Sequence, residues 1–236
     1  MSVDRKNSKL TQSLNQATIK QQFFFLVVTL LLVLVLFPYS EEGQLSRLVL
    51  TFLTSLMLLS AIYAVSHRRT LMIVAICLSM PAVVGVWMSA LLDNLWLTVG
   101  ADVTAIVYLT FTMVVILGHI LKMHQSATTT MDLIYGAISI YLMMGITWSF
   151  LFMVVEAIEP GSFFIRPEQN LDGILNQADF IYYSFATLTT LGYGDITPAT
   201  SQARSLAILE AVTGTLYIAV LIARLVGLYR FNTESG

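Results

Sequence analysis

Charged residues are scarce in this sequence, and their scarcity excludes most classes of protein. Twelve Lys and Arg and fourteen Asp and Glu make up 11% of the 236 residues, whereas an ordinary soluble domain has about 25%. The hydrophobic fraction is 57% and the mean hydropathy is +0.79. A soluble domain could not cover its surface with so few charges, and a disordered chain needs the opposite composition. The remaining class is an integral membrane protein.

Cysteine is almost absent, and the residue combinations typical of enzymes are missing. Cys77 is the single cysteine, so an intrachain disulfide is excluded. His67, His119 and His124 do not occur at the spacing of a metal site. No segment of the sequence combines Ser/His/Asp, Cys/His or paired carboxylates, so we expect neither an enzyme nor a cofactor. The net charge of −2 gives no indication of nucleic-acid binding.

Long apolar runs, in contrast, are abundant. About 20 residues of helix cross the hydrocarbon core of a membrane, and backbone groups in lipid must be bonded within their own segment. Each run is therefore predicted to form a transmembrane helix, and the predicted fold is an all-α membrane protein with six such helices. The six runs are 23–39, 48–65, 71–92, 95–121, 133–155 and 205–229.

The segment between the fifth and sixth runs differs from the others because it is too short to span. Residues 156–177 are polar and rich in turn-forming residues, and about twelve half-apolar residues follow at 178–189. This pattern predicts a half-helix that enters the membrane and turns back. Asn176 is placed to cap its N-terminus, and Asp179 favours the positive end of the helix dipole.

The half-helix leads into the string Thr189-Thr190-Leu191-Gly192-Tyr193-Gly194-Asp195. This string of seven residues resembles the selectivity filter of potassium channels, usually Thr-Val-Gly-Tyr-Gly. The resemblance is specific over about 133–229 and only architectural over the first 130 residues. It implies a homotetrameric pore, because one pore loop supplies one quarter of the filter.

The resemblance assigns the binding of K⁺ to the filter backbone. The carbonyl oxygens of Thr190, Leu191, Gly192 and Tyr193 would replace the hydration shell of the ion, and the Thr190 hydroxyl would add the innermost ring. Successive carbonyls can all point inward only if the backbone alternates between right- and left-handed conformations. Gly192 and Gly194 permit this alternation because glycine adopts positive φ at little cost.

Further residues of the loop are expected to support the filter. Thr189 and Asp195 flank it, and Tyr182 and Tyr183 occupy positions where many potassium channels have tryptophan. We expect Tyr182 to reach Asp195 and Tyr183 to reach Tyr193. Interfacial anchoring of the tyrosines is the alternative.

The sixth run is expected to be the inner helix that lines the pore. Gly214 lies where many potassium channels have a hinge glycine, and glycine weakens a helix by about 1 kcal/mol relative to alanine. Close helix packing is the alternative explanation for this glycine. Thr215, Ile218 and Ile222 fall on one stripe and are candidates for the cavity wall and gate.

Acidic residues inside the apolar runs are rare and therefore informative. Glu210 lies one turn before Gly214. It could face the cavity and bind cations, or it could bond to Ser184 or Thr187 behind the filter. The second alternative is favoured because the cavity stripe does not include Glu210. Asp102, in the fourth run, is expected at the membrane interface.

The fourth run also bears on gating. Voltage sensors need repeated Arg or Lys in this span, and 95–121 contains neither. The predicted function is therefore passive, K⁺-selective conduction that is not steeply voltage-gated. Two alternatives stay open: a non-selective cation channel, which the intact filter string disfavours, and a poorly conducting sensor or assembly subunit. The permeant K⁺ ion, membrane lipids and further copies of the chain are the expected partners.

Basic residues indicate the orientation of the chain, because cytoplasmic loops are enriched in them. We expect a multi-pass protein of the cell membrane with both termini cytoplasmic. Its parts would be an N-terminal segment (1–22), a four-helix membrane domain without sensor charges (23–122), a pore domain (131–230) and a short tail (231–236). Arg47, Arg166 and Arg204 would lie outside. Nine basic residues would lie inside: Arg5, Lys6, Lys9, Lys20, Arg68, Arg69, Lys122, Arg224 and Arg230.

Overall fold

The computed structural model describes residues 22–37, 44–65, 69–92, 94–122, 130–166 and 174–234. Most of the predicted N-terminal segment (1–21), the end of the first run (38–39) and the last two residues of the predicted tail lie outside the described residues. Five of the basic residues used for the orientation also lie outside them: Arg5, Lys6, Lys9, Lys20 and Arg68.

The described part of the chain consists of seven helices and two short strands. Each of the six apolar runs contains a helix, and the predicted half-helix is the sixth helix. The elements are α1 (Gln22–Leu36), α2 (Gln44–Val65), α3 (Arg69–Leu91), α4 (Leu95–Lys122), α5 (Thr130–Ile158), β1 (Phe163–Ile165), α6 (Gln177–Leu188), β2 (Ile196–Pro198) and α7 (Ser201–Glu234).

Four of the described helices, α3, α4, α5 and α7, are long and apolar enough to cross a membrane. Two shorter apolar helices, Gln22–Leu36 and Thr51–Val65, precede them. Together these helices make the chain a multi-pass membrane protein by length and composition. The prediction of six spans goes beyond this and stays a prediction.

Two details of the fold differ from the sequence-based prediction. β1 and β2 form an antiparallel pair, with Phe163 opposite Pro198 and Ile165 opposite Ile196. Each strand has only three residues, and its partner is more than thirty residues away in the sequence. Segments this short show no periodic pattern from which the pairing could be predicted. Helix α7, the predicted inner helix, also continues to Glu234, into the segment predicted to be a tail.

Asp102 lies inside the helical packing of the N-terminal half, and its expected place at the membrane interface stays a prediction. It is 4% exposed, and no hydrogen-bond partner of its Oδ2 atom lies among the described residues. The same part of the molecule is bonded across helices by Tyr108, whose hydroxyl donates to the carbonyl of Leu58 (2.7 Å), and by Trp87, whose Nε1 donates to Ser55 (2.9 Å).

The helices of the C-terminal half contact one another and the end of α4. The Tyr217 hydroxyl on α7 donates to the carbonyl of Ala137 on α5 (2.7 Å). The Arg224 guanidinium on α7 donates to the carbonyl of Ile120, in the last turn of α4 (2.8 Å). The inner helix is therefore bonded both to the helix beside it and to the N-terminal half.

Candidate functional site

Helix α6, the predicted half-helix and hence the predicted pore helix, begins at a capping box, in which two residues satisfy each other's backbone groups. The Asn176 side chain accepts from the amides of Ala178 (2.7 Å) and Asp179 (3.1 Å), and the Asp179 carboxylate accepts from the amide of Asn176 (2.8 Å). The helix ends at Leu188, where the amide of Thr189 donates to the carbonyl of Phe185. The predicted half-helix and its cap are both present.

The filter backbone alternates in handedness, as the sequence predicts. Thr190, Gly192 and Gly194 have φ values of 61°, 53° and 76°. Every second residue of this string therefore has a left-handed backbone, and Thr190 is the one non-glycine with positive φ among the described residues.

Two filter amides point back at the pore helix. Those of Leu191 and Gly192 donate to the carbonyl oxygen of Ala186 at 2.8 and 3.1 Å. In a trans peptide the carbonyl points opposite to the amide hydrogen. The carbonyls of Thr190 and Leu191, which share these two peptides, therefore point away from α6. This is the arrangement that a carbonyl-lined path requires.

A single chain leaves the filter uncovered. The Leu191 side chain is 58% exposed and that of Tyr193 is 67% exposed. These two side chains therefore form an exposed surface beside the filter on the single chain.

The predicted supports of the filter are only partly brought together. The Tyr182 hydroxyl donates to Oδ2 of Asp195 (2.5 Å), and Oδ1 of Asp195 accepts from the amide of Ile196 (3.0 Å). Tyr183 does not bond Tyr193 within the chain. Its ring is buried among other aromatic rings, whereas the Tyr193 side chain is exposed.

These other rings form an aromatic cluster that the sequence analysis missed. The Tyr183 ring centroid lies 5.1 Å from Phe152 and 5.2 Å from Phe163, and Phe163 lies 5.3 Å from Phe180. Trp148 packs on Phe152 at 5.8 Å. The spacing of Trp148 and Phe152, four residues apart on α5, is a signal that could have indicated this face.

Glu156 is a second group that the sequence analysis missed. Its two carboxylate oxygens accept from the amides of Gly161 (2.8 Å) and Phe163 (2.9 Å). The carboxylate therefore fixes the turn that leads from α5 into β1. The sequence contains a signal for this role, because an acidic residue at the end of an apolar run is followed closely by the turn-forming residues Pro160 and Gly161.

The inner helix α7 runs unbroken through Gly214. A Cβ atom at this position would lie 2.5 Å from the carbonyl oxygen of Leu188, so the glycine permits α7 to touch the end of the pore helix. This contact supports the packing explanation, and a hinge stays a prediction. Thr215, Ile218 and Ile222 are all exposed on the single chain.

Glu210 lies behind the pore helix. It is fully buried, and its Oε1 atom is 2.5 Å from the hydroxyl oxygen of Ser184 on α6. The same hydroxyl oxygen lies 2.6 Å from the carbonyl of Gly145 on α5. Of the two alternatives for Glu210, the geometry agrees with bonding to Ser184.

Comparison with known proteins finds a similarity in the C-terminal part of the chain. Residues 140–230 match a protein-family model described as an ion channel. The match covers most of α5, the pore helix, the filter and α7. No curated protein and no solved structure matches the chain. Residues 140–230 are therefore similar to an ion-channel family.

Proposed function

We propose that this membrane protein is a K⁺-selective channel that conducts K⁺ passively through a homotetrameric pore. The observation that carries the proposal is the filter backbone. Its handedness alternates at Thr190, Gly192 and Gly194, while Ala186 accepts the amides behind it. Carbonyl rings of this kind replace the hydration shell of K⁺, so selectivity needs no charged side chain.

The proposed residue roles follow from this arrangement. Thr190, Leu191, Gly192 and Tyr193 would bind K⁺ through their carbonyls, and Gly194 would complete the filter. These residues form a single stretch of backbone, so one chain supplies only one side of the ion path. Three more copies are needed to surround the ion.

The exposure of α7 supports a tetramer. Only 11% of the apolar part of Ser201–Arg224 on α7 is buried within the single chain, compared with 56% of that of Leu133–Ile158 on α5. Four copies arranged around an axis would cover part of α7 and the bare ring of Tyr193. Thr215, Ile218 and Ile222 would then line the cavity and gate, and membrane lipids would cover the outer helices.

The proposed topology has six spans with both termini cytoplasmic, as the positive-inside rule favours. Residues 23–122 would form a separate membrane domain beside the pore domain 131–230. The only Lys or Arg in α4 is Lys122, which is the last residue of the helix. A helix without repeated basic residues moves little charge across the membrane, so conductance should depend only weakly on voltage.

The test is a reversal-potential measurement on purified protein in planar bilayers, with KCl on one side and NaCl on the other. We expect the current to reverse far from zero, with the KCl side negative, because K⁺ crosses much more readily than Na⁺. We also expect a shallow conductance–voltage relation and no current in protein-free bilayers. Reversal near zero would identify a non-selective cation channel. No current at any voltage would identify a poorly conducting subunit, and either result would overturn the proposal.

A further inference from the structure

Glu210 is a buried acid that the proposed ion path does not use. Its Oε2 atom has no hydrogen-bond partner among the described residues, and no basic side chain within the described part pairs with it. An ionised carboxylate is highly unfavourable in such a place unless a cation or several donors surround it. The bonding at its other oxygen indicates how this cost is avoided.

The oxygens around Ser184 show which groups carry hydrogen. Its hydroxyl oxygen lies 2.6 Å from the Gly145 carbonyl and 2.5 Å from Oε1 of Glu210. A serine hydroxyl has one hydrogen, whereas a carbonyl and an ionised carboxylate can only accept. If Glu210 were ionised, one of these short contacts would join two oxygens without a hydrogen. Both are hydrogen bonds only if Glu210 donates to Ser184 and Ser184 donates to Gly145.

We propose that Glu210 is a protonated positioning residue that locks α7 to the pore helix α6, and through Ser184 to α5. The three groups Glu210, Ser184 and the Gly145 carbonyl are called the relay below. Each lies on a different helix, so the relay joins three helices at one buried point. Because Gly145 has no side chain, α5 can lie close to α6 at this point. A Cβ atom on residue 145 would lie only 2.5 Å from the Phe185 ring of α6.

The relay reaches the filter through the last turns of α6. Ser184 lies two residues before Ala186, whose carbonyl holds the amides of Leu191 and Gly192. If Glu210 loses its proton, a donor becomes an acceptor and the relay breaks. The single Ser184 hydrogen then goes to the ionised carboxylate, and the Gly145 carbonyl is left without a donor. The pore helix thus loses its bond to α5, and the filter loses part of its support from behind.

The other titratable groups that face Glu210 are Tyr141 on α5 and Tyr183 on α6. Both are phenols, which are neutral near pH 7 and so provide no compensating positive charge. We therefore expect the relay to be intact at neutral pH and to break only at alkaline pH.

Infrared spectroscopy of the purified protein tests the proton directly. At neutral pH the wild type should show the C=O stretch of a buried protonated carboxyl group, and Glu210→Gln should lack it. Asp102→Asn is the matched control, because Asp102 is the other buried acid in the described part of the chain; this variant should keep the Glu210 band. An unchanged carboxyl band in Glu210→Gln would overturn the proposal. The measurement does not involve K⁺ selectivity, so this inference and the proposed function can fail separately.

The pH dependence of ion flux in liposomes tests the positioning role. We expect wild-type flux to fall about tenfold at alkaline pH, which corresponds to about 1.4 kcal/mol. Glu210→Gln should keep its flux, because its amide still donates to Ser184 and has no proton to lose there. A purely structural role for the carboxyl group would leave the pH profile unmoved, and identical alkaline losses in both proteins would contradict the proposal.

Ser184→Ala tests the same relay independently of whether Glu210→Gln folds. It removes the group bonded to Glu210 while the acid stays in place. We expect flux at neutral pH to fall about tenfold, with little further loss at alkaline pH. Ser149→Ala is the control, because Ser149 is equally buried on α5 but bonds only within its own helix. Wild-type flux and a wild-type pH profile in Ser184→Ala would refute the relay.

Discussion

At the scale of single residues, the filter depends on backbone conformation more than on side-chain chemistry. Thr190 has a φ of 61°, which is unfavourable for a residue with a Cβ atom by roughly 1–2 kcal/mol. Such strain persists only where the surroundings hold the backbone in place. Here the amides of Leu191 and Gly192 are held by Ala186, directly after the strained residue.

Substitution of Gly192 tests this dependence on the backbone. No atom outside its chain neighbours lies within 4 Å of a Cβ atom at this position, so Gly192→Ala introduces no collision within the chain. Its φ of 53° nevertheless strains alanine by about 1–2 kcal/mol. We expect the residue to relax and turn a carbonyl out of line, which should shift the reversal potential in a K⁺/Na⁺ gradient towards zero.

Gly161→Ala is the matched control for this experiment. Gly161 has a φ of 87° and is equally open, but it lies in the turn before β1. The substitution should cause similar backbone strain and leave the reversal potential unchanged. Equal shifts in the two variants would mean that general destabilisation, and not the filter backbone, sets selectivity.

At the scale of elements, the pore helix is held from both ends and from behind. The capping box fixes its N-terminus, the Tyr182–Asp195 bond ties it to the segment after the filter, and Gly214 lets α7 touch its C-terminal carbonyl. A rigid half-helix is a suitable base for a filter, because the filter amides bond to its last turn.

Gly214→Ala distinguishes packing from hinge bending. The added Cβ atom would lie 2.5 Å from the Leu188 carbonyl oxygen, and overpacking of this kind costs about 1–3 kcal/mol. We expect lower thermal stability of the detergent-solubilised protein. If Gly214 acts only as a hinge, the better helix former should instead leave stability unchanged or raise it.

Gly100→Ala on α4 provides the comparison for that measurement. Nothing lies within 4 Å of a Cβ atom there, so the substitution should stabilise the helix by up to about 1 kcal/mol. Opposite signs for the two glycine variants are therefore expected.

At the scale of the whole molecule, the inner helix is connected to the N-terminal half by Arg224. Its guanidinium donates to the Ile120 carbonyl, one of the last four carbonyls of α4, which have no partner within their own helix. A cation at this end also interacts favourably with the helix dipole. Arg224 is therefore part of the packing between the two halves of the molecule.

Arg224→Gln should weaken this connection. Loss of the charge at the end of α4 is expected to lower the free energy of unfolding by about 1 kcal/mol, measurable as a lower thermal midpoint in detergent. Arg204→Gln is the control, since Arg204 donates to the Pro198 carbonyl at 3.2 Å in an exposed position and should contribute less than about 0.5 kcal/mol. Equal shifts for the two arginines would contradict a specific role for the Arg224 contact.

Much of this architecture can be predicted from the sequence, because its signals are local. The scarcity of charge defines the class of protein, the apolar runs locate the helices, and Asn176 with Asp179 marks the start of α6. The positions of the two glycines in the filter string likewise indicate alternating backbone handedness. Each of these conclusions depends on residues that are neighbours along the chain.

Only the tertiary structure decides which distant groups meet. It places Asp102 in the helical packing, pairs β1 with β2, packs Tyr183 against the aromatic cluster and brings Glu210 of α7 to Ser184 of the pore helix. The helices are apolar on nearly every face, so periodicity cannot distinguish a face that packs on protein from one that faces lipid. The few charges that defined the class of protein could therefore be counted from the sequence, but their partners depend on contacts between residues far apart in the chain.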